Sequence, residues 1–421
     1  MKSLRVIILA AGKGTRMNSD VPKVLHEICG QPILKHVLDV VKRLGSLVIY
    51  TIVGYQSQEV KKILSKDKII AIEQKRLLGT ADAIGCARAS LKNYRGDVLI
   101  VCADTPLLRE TTLRNLVKAH QQARAACTVL TTVVGSPRGY GRMIRDSNNR
   151  VIAIREEKDT TVQERGIKEI NAGVYCVDSP ELFKALGQVK LNRVKKEFYL
   201  TDIIENFVKK NLRVEALQTQ DGLEGLGVNT REDLSMAQTI LRQRILKKFS
   251  EQGVTIVDPA TTFIDVNVKI GKDTVIRPFS CIEGNVRIGR RCKIGPFARL
   301  RPGTTIADDA EIGNFTEVSR TKIGPRSLMK HFSFLGDTTV GREVNIGAGT
   351  VTANFDGKNK NKTIISDNAF IGSDAILIAP VKIGKRAVVG AGSVVTKGKV
   401  VPPGGIAVGV PARIISRRRT P

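Results

Sequence analysis

The sequence predicts an α/β chain in two halves: a mostly parallel sheet covered by helices, then a left-handed parallel β-helix. Three observations carry this. The chain has 421 residues, more than one ordinary core organises. Up to about residue 225, apolar runs such as 47–53, 98–102 and 127–134 alternate with amphipathic stretches such as 33–44 and 111–123, the rhythm of strands joined by crossover helices. Beyond residue 253 the apolar period becomes six. Ile264, Ile270, Ile276, Ile282, Ile288, Ile294, Leu300, Ile306, Ile312 and Val318 form one register, and Ile365, Ile371, Leu377, Ile383, Val389, Val395 and Val401 a second. An isolated hexapeptide-repeat coil cannot close its own core, so each inward aliphatic must stack on its equivalents above and below.

The first element is a β-branched run, Leu4–Leu9, suited to a buried parallel strand. It leads into Leu9-Ala10-Ala11-Gly12-Lys13-Gly14-Thr15-Arg16-Met17 and then Pro22-Lys23. Small residues there let main-chain N–H groups approach phosphate oxygens, and Lys13, Arg16 and Lys23 add positive charge. A tight strand-to-helix connection is the plainer reading of the same turn, and the spacing fits neither G-x-G-x-x-G nor G-x-x-x-x-G-K-[ST]. Asp104 follows the apolar run 98–102 at the carboxyl edge of a strand, where open α/β sheets bind ligands; with Thr105-Pro106 behind it, a helix cap is equally compatible. Residues 231–252 read as a linker helix with Leu234, Ala237, Ile240, Leu241 and Ile245 along one face. The expected division is therefore 1–230, 231–252 and 253–421. Within the repeats the phase slips between Val318 and Ile323 and between Leu335 and Val340, and 352–362 interrupts the pattern, which predicts a protruding loop.

Composition narrows the class. The formal net charge is +28, yet only Arg417-Arg418-Arg419 forms a tight basic cluster. A solvated basic surface and attraction of anionic small molecules both account for it. Nucleic-acid binding is not expected, because aromatic residues are 4% with no tryptophan. No stretch approaches the roughly 18 apolar residues of a membrane span, and the N-terminus shows no signal-peptide pattern, which favours a cytoplasmic location. The seven cysteines are scattered without C-x-x-C pairing, so free thiols are expected. Of four histidines, His26, His36 and His120 read as structural, whereas His331 lies inside the repeats where an ordinary rung needs no imidazole.

Leu9–Met17 with Pro22-Lys23 resembles the signature of sugar-nucleotide pyrophosphorylases. Leu78-Gly79-Thr80, Gly139-Tyr140-Gly141-Arg142, Glu169-Ile170-Asn171-Ala172-Gly173, Phe198-Tyr199-Leu200-Thr201-Asp202, Gly227-Val228-Asn229, Leu300-Arg301-Pro302-Gly303 and Asn345-Ile346-Gly347-Ala348-Gly349-Thr350 extend the likeness over nearly the whole chain. Together, in this order, they resemble the bacterial family of bifunctional N-acetylglucosamine-1-phosphate uridyltransferases and glucosamine-1-phosphate acetyltransferases. The resemblance implies a Rossmann-like nucleotidyltransferase domain, Mg²⁺, UTP and acetyl-CoA as co-substrates, and a homotrimer. It assigns Leu9, Ala11, Gly12, Lys23, Gln74, Gly79 and Thr80 to the nucleotide, with Arg16 and Lys23 facing the phosphates, and Asp104 and Asn229 to the metal. Gly141, Glu156, Asn171, Tyr199 and Thr201 would hold the sugar, although Glu156 sits in a charged run that solvation alone explains.

In the second half the resemblance makes His331 the base that deprotonates the acceptor amine, a role its ordinary pKa of about 6.5 suits. Glu317 would orient or charge-stabilise it. Arg301 and Lys360 would clamp the acceptor phosphate, Asn345 would hold its sugar, and Ala348, Asn354, Ser373 and Ala391 would line the acetyl-CoA groove. The chain departs from the family pattern at several points: Cys102-Ala103 stands for Tyr-Gly, Ser319 for lysine, and Phe334 and Phe355 for tyrosines, and the tail after Gly409-Val410-Pro411-Ala412-Arg413 is short. Ser319 removes a cation from the clamp, and strand alternation puts Arg320 on the opposite face. The alternative is therefore a nucleotidyltransferase whose β-helix is structural or acetylates a different amino-sugar phosphate.

Overall fold

The computed structural model describes residues 3–45, 48–65, 69–192 and 196–415. Leu47 of the predicted 47–53 run and Arg417-Arg418-Arg419 lie outside them. The chain divides into two compact units, Met1–Gln238 and Thr239–Pro421, with the boundary inside a helix that spans Arg231–Glu251.

The first unit is a nine-stranded sheet whose main path runs Val214–Gln218, Cys127–Val133, Glu169–Asp178, Asp97–Cys102, Leu4–Ala10, Val48–Val53, Ile70–Glu73. The opening β-branched run is buried on both faces, which is why it reads as continuous rather than alternating. Ile7 packs into one core with Ile203, Ile204 and Phe207, while Val6 and Ile8 point the other way into a second with Leu34, Leu38 and Leu113. One strand breaks the parallel rule: Glu169–Asp178 runs antiparallel to both neighbours. The hairpin Arg142–Arg145/Val151–Arg155 precedes it, so the chain returns to the sheet without the crossover helix that parallel pairing requires.

The second unit is a left-handed β-helix of three parallel stacks, ten, eight and eight short strands, with an antiparallel last strand, Arg413–Ile415. The period-six aliphatics fill its interior; Ile276, Ile282, Ile294, Leu300, Ile312 and Val389 are fully buried. The phase slips are coils one residue short, since Ile312 stacks on Met329 and Met329 on Ile346. The interruption lengthens the next coil, which returns as Ile346 on Ile371. Corners fall at left-handed residues, many of them Asn or Asp, which tolerate that backbone: Asn267, Asp273 and Asn285 have φ of 65°, 64° and 64°. Phe279, Phe297 and Phe315 adopt it too, and their rings stack along the outside with successive centroids 4.8 Å apart. Leu246 and Phe249, late in the long helix, join the β-helix core; of the face expected for this helix, Ala237 is buried and Ile245 packs partly against that core.

No helix among the described residues is long and apolar enough to cross a membrane. None of the seven cysteines forms a disulfide among the described residues, and four of them are buried. His36 is buried against the Ile28 carbonyl at 2.8 Å, and His120 between Thr128 (3.1 Å) and Asp97 (3.5 Å), both structural placements. His26 faces Arg231 at 3.3 Å, and partial burial with that neighbouring charge lowers its pKa.

Candidate active sites

At the carboxyl edge of the first sheet, Leu9, Ala11, Gly12, Lys23, Gln74, Gly79, Thr80 and Asp104 all line one cleft of about 420 Å³. Its floor is polar and organised. Lys23 Nζ lies 2.5 Å from Asp104 Oδ2 and 3.0 Å from Asn229 Oδ1, so one cation sits between a carboxylate and an amide oxygen from segments far apart in sequence. Asp104 accordingly faces the cleft rather than acting as a helix cap. Its main chain also holds the other segment, the Val228 N–H donating to the Asp104 carbonyl at 2.8 Å. Asn229 is fixed at the head of the long helix by Asp233, whose carboxylate accepts from the Asn229 and Thr230 N–H groups while Thr230 Oγ1 accepts from the Asp233 N–H, a reciprocal cap.

The two motifs expected to read nucleotide and sugar are tied together. Gly79 has φ of +104°, and a Cβ there would lie 2.5 Å from the Phe198 carbonyl oxygen, so only glycine allows the approach. Thr80 Oγ1 then accepts from the Leu200 N–H at 2.9 Å, which docks the Tyr199–Thr201 segment beside the cleft. Gln74 is buried and donates to the Gly79 carbonyl (3.1 Å) and to Asp82 (2.7 Å), which holds the near side of the loop. Arg16 is exposed, with Nη1 3.8 Å from where a Cβ on Gly139 would sit.

Among the expected sugar contacts, Glu156 is no surface charge. Its Oε1 accepts from Thr201 Oγ1 at 3.1 Å and lies 3.7 Å from a Cβ placed on Gly141; burial, reinforced by nearby Asp202, Asp159 and Glu197, raises its pKa. The same crowding, with burial again the largest cause, pushes Tyr199 up to about 12 and Asp202 up to about 6. Asn171 donates its main-chain N–H to Gly141 at 2.9 Å, but its side chain is engaged at both ends, Nδ2 donating to Tyr175 (2.6 Å) and Oδ1 accepting from Gly173 (2.9 Å). It shapes a strand irregularity as much as it presents an amide.

Two residues at this site were given no role in it. Glu197 lines the cleft, and Tyr140 Oη bonds the Gly227 main chain at 3.1 Å, steadying the loop that carries Asn229. Cys102, already noted as a departure from the family pattern, lines the cleft too, its thiol pushed up to about 12 by burial. Tyr140 was visible as the centre of the Gly139–Arg142 motif. Glu197 had no signal beyond its place before Phe198-Tyr199.

On the β-helix, register aligns much of the second site. Because Ile346, Ile371 and Val389 pair on successive coils, Ala348, Ser373 and Ala391 form a column of small residues two positions farther on, with Asn345 one position before Ile346. The interruption is a hairpin closed by the Phe355–Lys360 bridge. Asp356 holds its turn by accepting from the N–H groups of Lys358 and Asn359 and from Asn361, bonds that depress its pKa strongly. Asn354 is buried at the hairpin base and donates to Asp337 at 2.5 Å. His331 is exposed and makes no hydrogen bond or ion pair among the described residues.

Glu317, expected to orient or charge-stabilise His331, is engaged by Arg301 Nη1 at 2.8 Å, with Arg299 at 4.0 Å. Arg320 was expected to face away from Ser319. It stands instead at a left-handed corner, φ 49°, where strand alternation no longer applies, and Nη1 donates to Ser319 Oγ at 2.8 Å.

Comparison with known proteins agrees with this division. A model of the MobA-like NTP transferase domain matches residues 6–172, and a bacterial transferase hexapeptide model of six repeats matches 267–302, 285–320 and 362–397. The bifunctional protein GlmU of Shouchella clausii is 42% identical over 93% of this chain and 93% of its own. GlmU of Geotalea daltonii is 40% identical over 97% and 96%, and that of Listeria monocytogenes serotype 4a 40% over 94% and 94%. The chain belongs to the bifunctional GlmU family. It is a nucleotidyltransferase and a hexapeptide acetyltransferase in one chain, and its joint product is UDP-N-acetylglucosamine.

Proposed function

We propose that uridylyl transfer takes place in the cleft around Asp104 and acetyl transfer on the β-helix around His331, with glucosamine-1-phosphate acetylated first. The observation that carries the first assignment is the ammonium of Lys23 lodged between Asp104 and Asn229. Two hard oxygens converging on a cation are a donor set suited to Mg²⁺, which commonly takes few protein ligands and completes its shell with phosphates and water. Bound there, Mg²⁺ would supply the positive charge that lets two anionic reactants approach. Lys23 and Arg16 neutralise the triphosphate, the Leu9–Gly12 segment, Gln74, Gly79 and Thr80 hold the base and ribose, and Gly141, Glu156, Asn171, Tyr199 and Thr201 place the sugar phosphate in line with the α-phosphorus. Positioning and charge, with no side-chain base, account for the step.

In acetyl transfer, His331 takes a proton from the amine as the new C–N bond forms. The thioester C–S bond breaks, and the imidazolium returns the proton to the leaving thiolate. Arg301 and Lys360 bind the acceptor phosphate, with Glu317 holding Arg301; Asn345 takes the sugar, and Asn354 with the Ala348, Ser373 and Ala391 column receives acetyl-CoA. Supporting an acetylating β-helix over a merely structural one, His331 keeps its ring free beside that column. A homotrimer in the cytoplasm, acting on anionic small molecules and not on nucleic acid, completes the reading.

The test offers the purified protein several amino-sugar phosphates with acetyl-CoA and, separately, several sugar-1-phosphates with UTP or dTTP, each with and without Mg²⁺. Preference for glucosamine-1-phosphate in the first assay, and for UTP with N-acetylglucosamine-1-phosphate and Mg²⁺ in the second, is expected. Preference for another acceptor, or metal-independent uridylyl transfer, overturns the corresponding half.

A further inference from the structure

We propose that Arg320 provides a third cation of the acetyl-acceptor's phosphate clamp, beside Arg301 and Lys360, tethered by Ser319 and Asp337, in place of the lysine that the family carries at position 319. The inference rests on the acceptor being an amino-sugar phosphate.

Register places the groups together. Leu300 pairs with Val318 and the Arg301 N–H donates to the Val318 carbonyl at 2.8 Å, so Arg301 lies one coil from Ser319; Ser319 in turn pairs with Gly336, next to Asp337. Arg320 folds back over this seam, its stem passing Gly303, where a Cβ would come within 3.3 Å of its Cγ. Nε and Nη2 donate to the two oxygens of Asp337 at 2.6 and 2.9 Å, and Nη1 donates to Ser319 Oγ.

That geometry orders the guanidinium without exhausting it. A guanidinium carries five N–H groups, and three are engaged here, which leaves one on each terminal nitrogen among the described residues. The side chain remains 37% exposed. Lys360 lies close enough for its charge to act on Asp337 as well, and the Glu317 carboxylate that Arg301 engages also has Arg299 at 4.0 Å. One carboxylate shared by Arg320 and Lys360 leaves net positive charge facing an incoming phosphate. Planar, bidentate donors suit that ligand, and pre-ordering lowers the entropy lost on binding. Asp337 also fixes Asn354, so the same carboxylate ties the acceptor clamp to the base of the hairpin.

The experiment uses the full-length protein, glucosamine-1-phosphate and unphosphorylated glucosamine as acceptors, and acetyl-CoA. Arg320→Ala is expected to raise KM for glucosamine-1-phosphate by about ten- to a hundredfold, as loss of a charged hydrogen bond does, while leaving KM for acetyl-CoA and the rate with glucosamine unchanged. Arg320→Lys should recover part of the loss, and Ser319→Lys added to Arg320→Ala should recover most of it. An unchanged KM for the phosphorylated acceptor, or equal losses with both acceptors, overturns the proposal. If the unaltered enzyme itself uses glucosamine as well as its phosphate, the acceptor reading fails, and that appears before any variant is made.

Discussion

The two sites differ in how complete each is within one chain. At the sheet edge distant segments are bonded to one another: Lys23 joins Asp104 to Asn229, Asp233 caps Asn229, Thr80 docks the Tyr199–Thr201 segment, and Thr201 meets Glu156. On the β-helix Arg301 and Arg320 are tied to carboxylates, but His331 stands exposed and unpartnered among the described residues. A doubly wound sheet gathers distant loops at one edge, so a single unit can enclose a ligand. A solenoid sets its residues in columns along an open face, and enclosure has to come from something laid against it.

The sharpest way to break this contrast is to disable each site and look for loss at the other. Asp104→Ala should reduce uridylyl transfer by roughly 10³–10⁵-fold, the scale of losing a metal's charge stabilisation, with acetyl transfer intact in separate assays. Parallel loss of both would mean that the sites are coupled. His331→Ala should cost acetyl transfer alone roughly 10²–10⁴-fold, the usual worth of a general base, read from thiol release with glucosamine-1-phosphate.

A smaller effect probes the crowding that packing imposes on the first unit. Asp202 titrates in the fold at about 6 rather than the ordinary 3.8, so its ionised form is disfavoured there. The penalty is fully present above about pH 6 and is relieved as pH falls toward 3.8. Asp202→Asn should therefore raise the thermal midpoint at pH 8, by on the order of a few degrees, with the gain fading through pH 6 and gone near pH 4. A gain independent of pH would assign the effect to something other than charge.

The smallest test concerns the exposed corner of the β-helix. Phe297→Ala removes two stacked neighbours, each pair worth about 0.5–1.5 kcal/mol. Phe297→Gly should be less destabilised than the alanine variant, because glycine holds a left-handed backbone without strain. Chemical denaturation of both variants, with activities unchanged, checks this. Equal stability of Phe297→Ala and the parent would show that the ladder is ornamental to folding.

The legible parts of the sequence share a feature: the signal repeats or lies within a few residues. The period-six aliphatics located the β-helix interior, and the phase slips at Val318 and Leu335 marked its short coils, because every inward position faces the same requirement. The cleft-lining loop was legible because Gly12 and Lys23 sit in one short segment. The antiparallel course of Glu169–Asp178 was not, since its direction depends on a separate hairpin that ends upstream at Arg155. Arg320 was misread for a related reason: alternation holds within a strand, and nothing local says that the strand ends at Ser319.

By itself the sequence determined which residues are available and how the chain is periodically folded: the two architectures, the inward positions, the small-residue loop from Gly12 to Lys23 and the histidine within the repeats. Only the tertiary structure decided which charges meet. It brought Lys23 to Asn229, turned Glu317 to Arg301, set Glu156 against Thr201 and delivered Arg320 to Asp337. Periodicity is a property of neighbours in the chain, whereas the energy of a charge depends on burial and on partners contributed by other coils and strands.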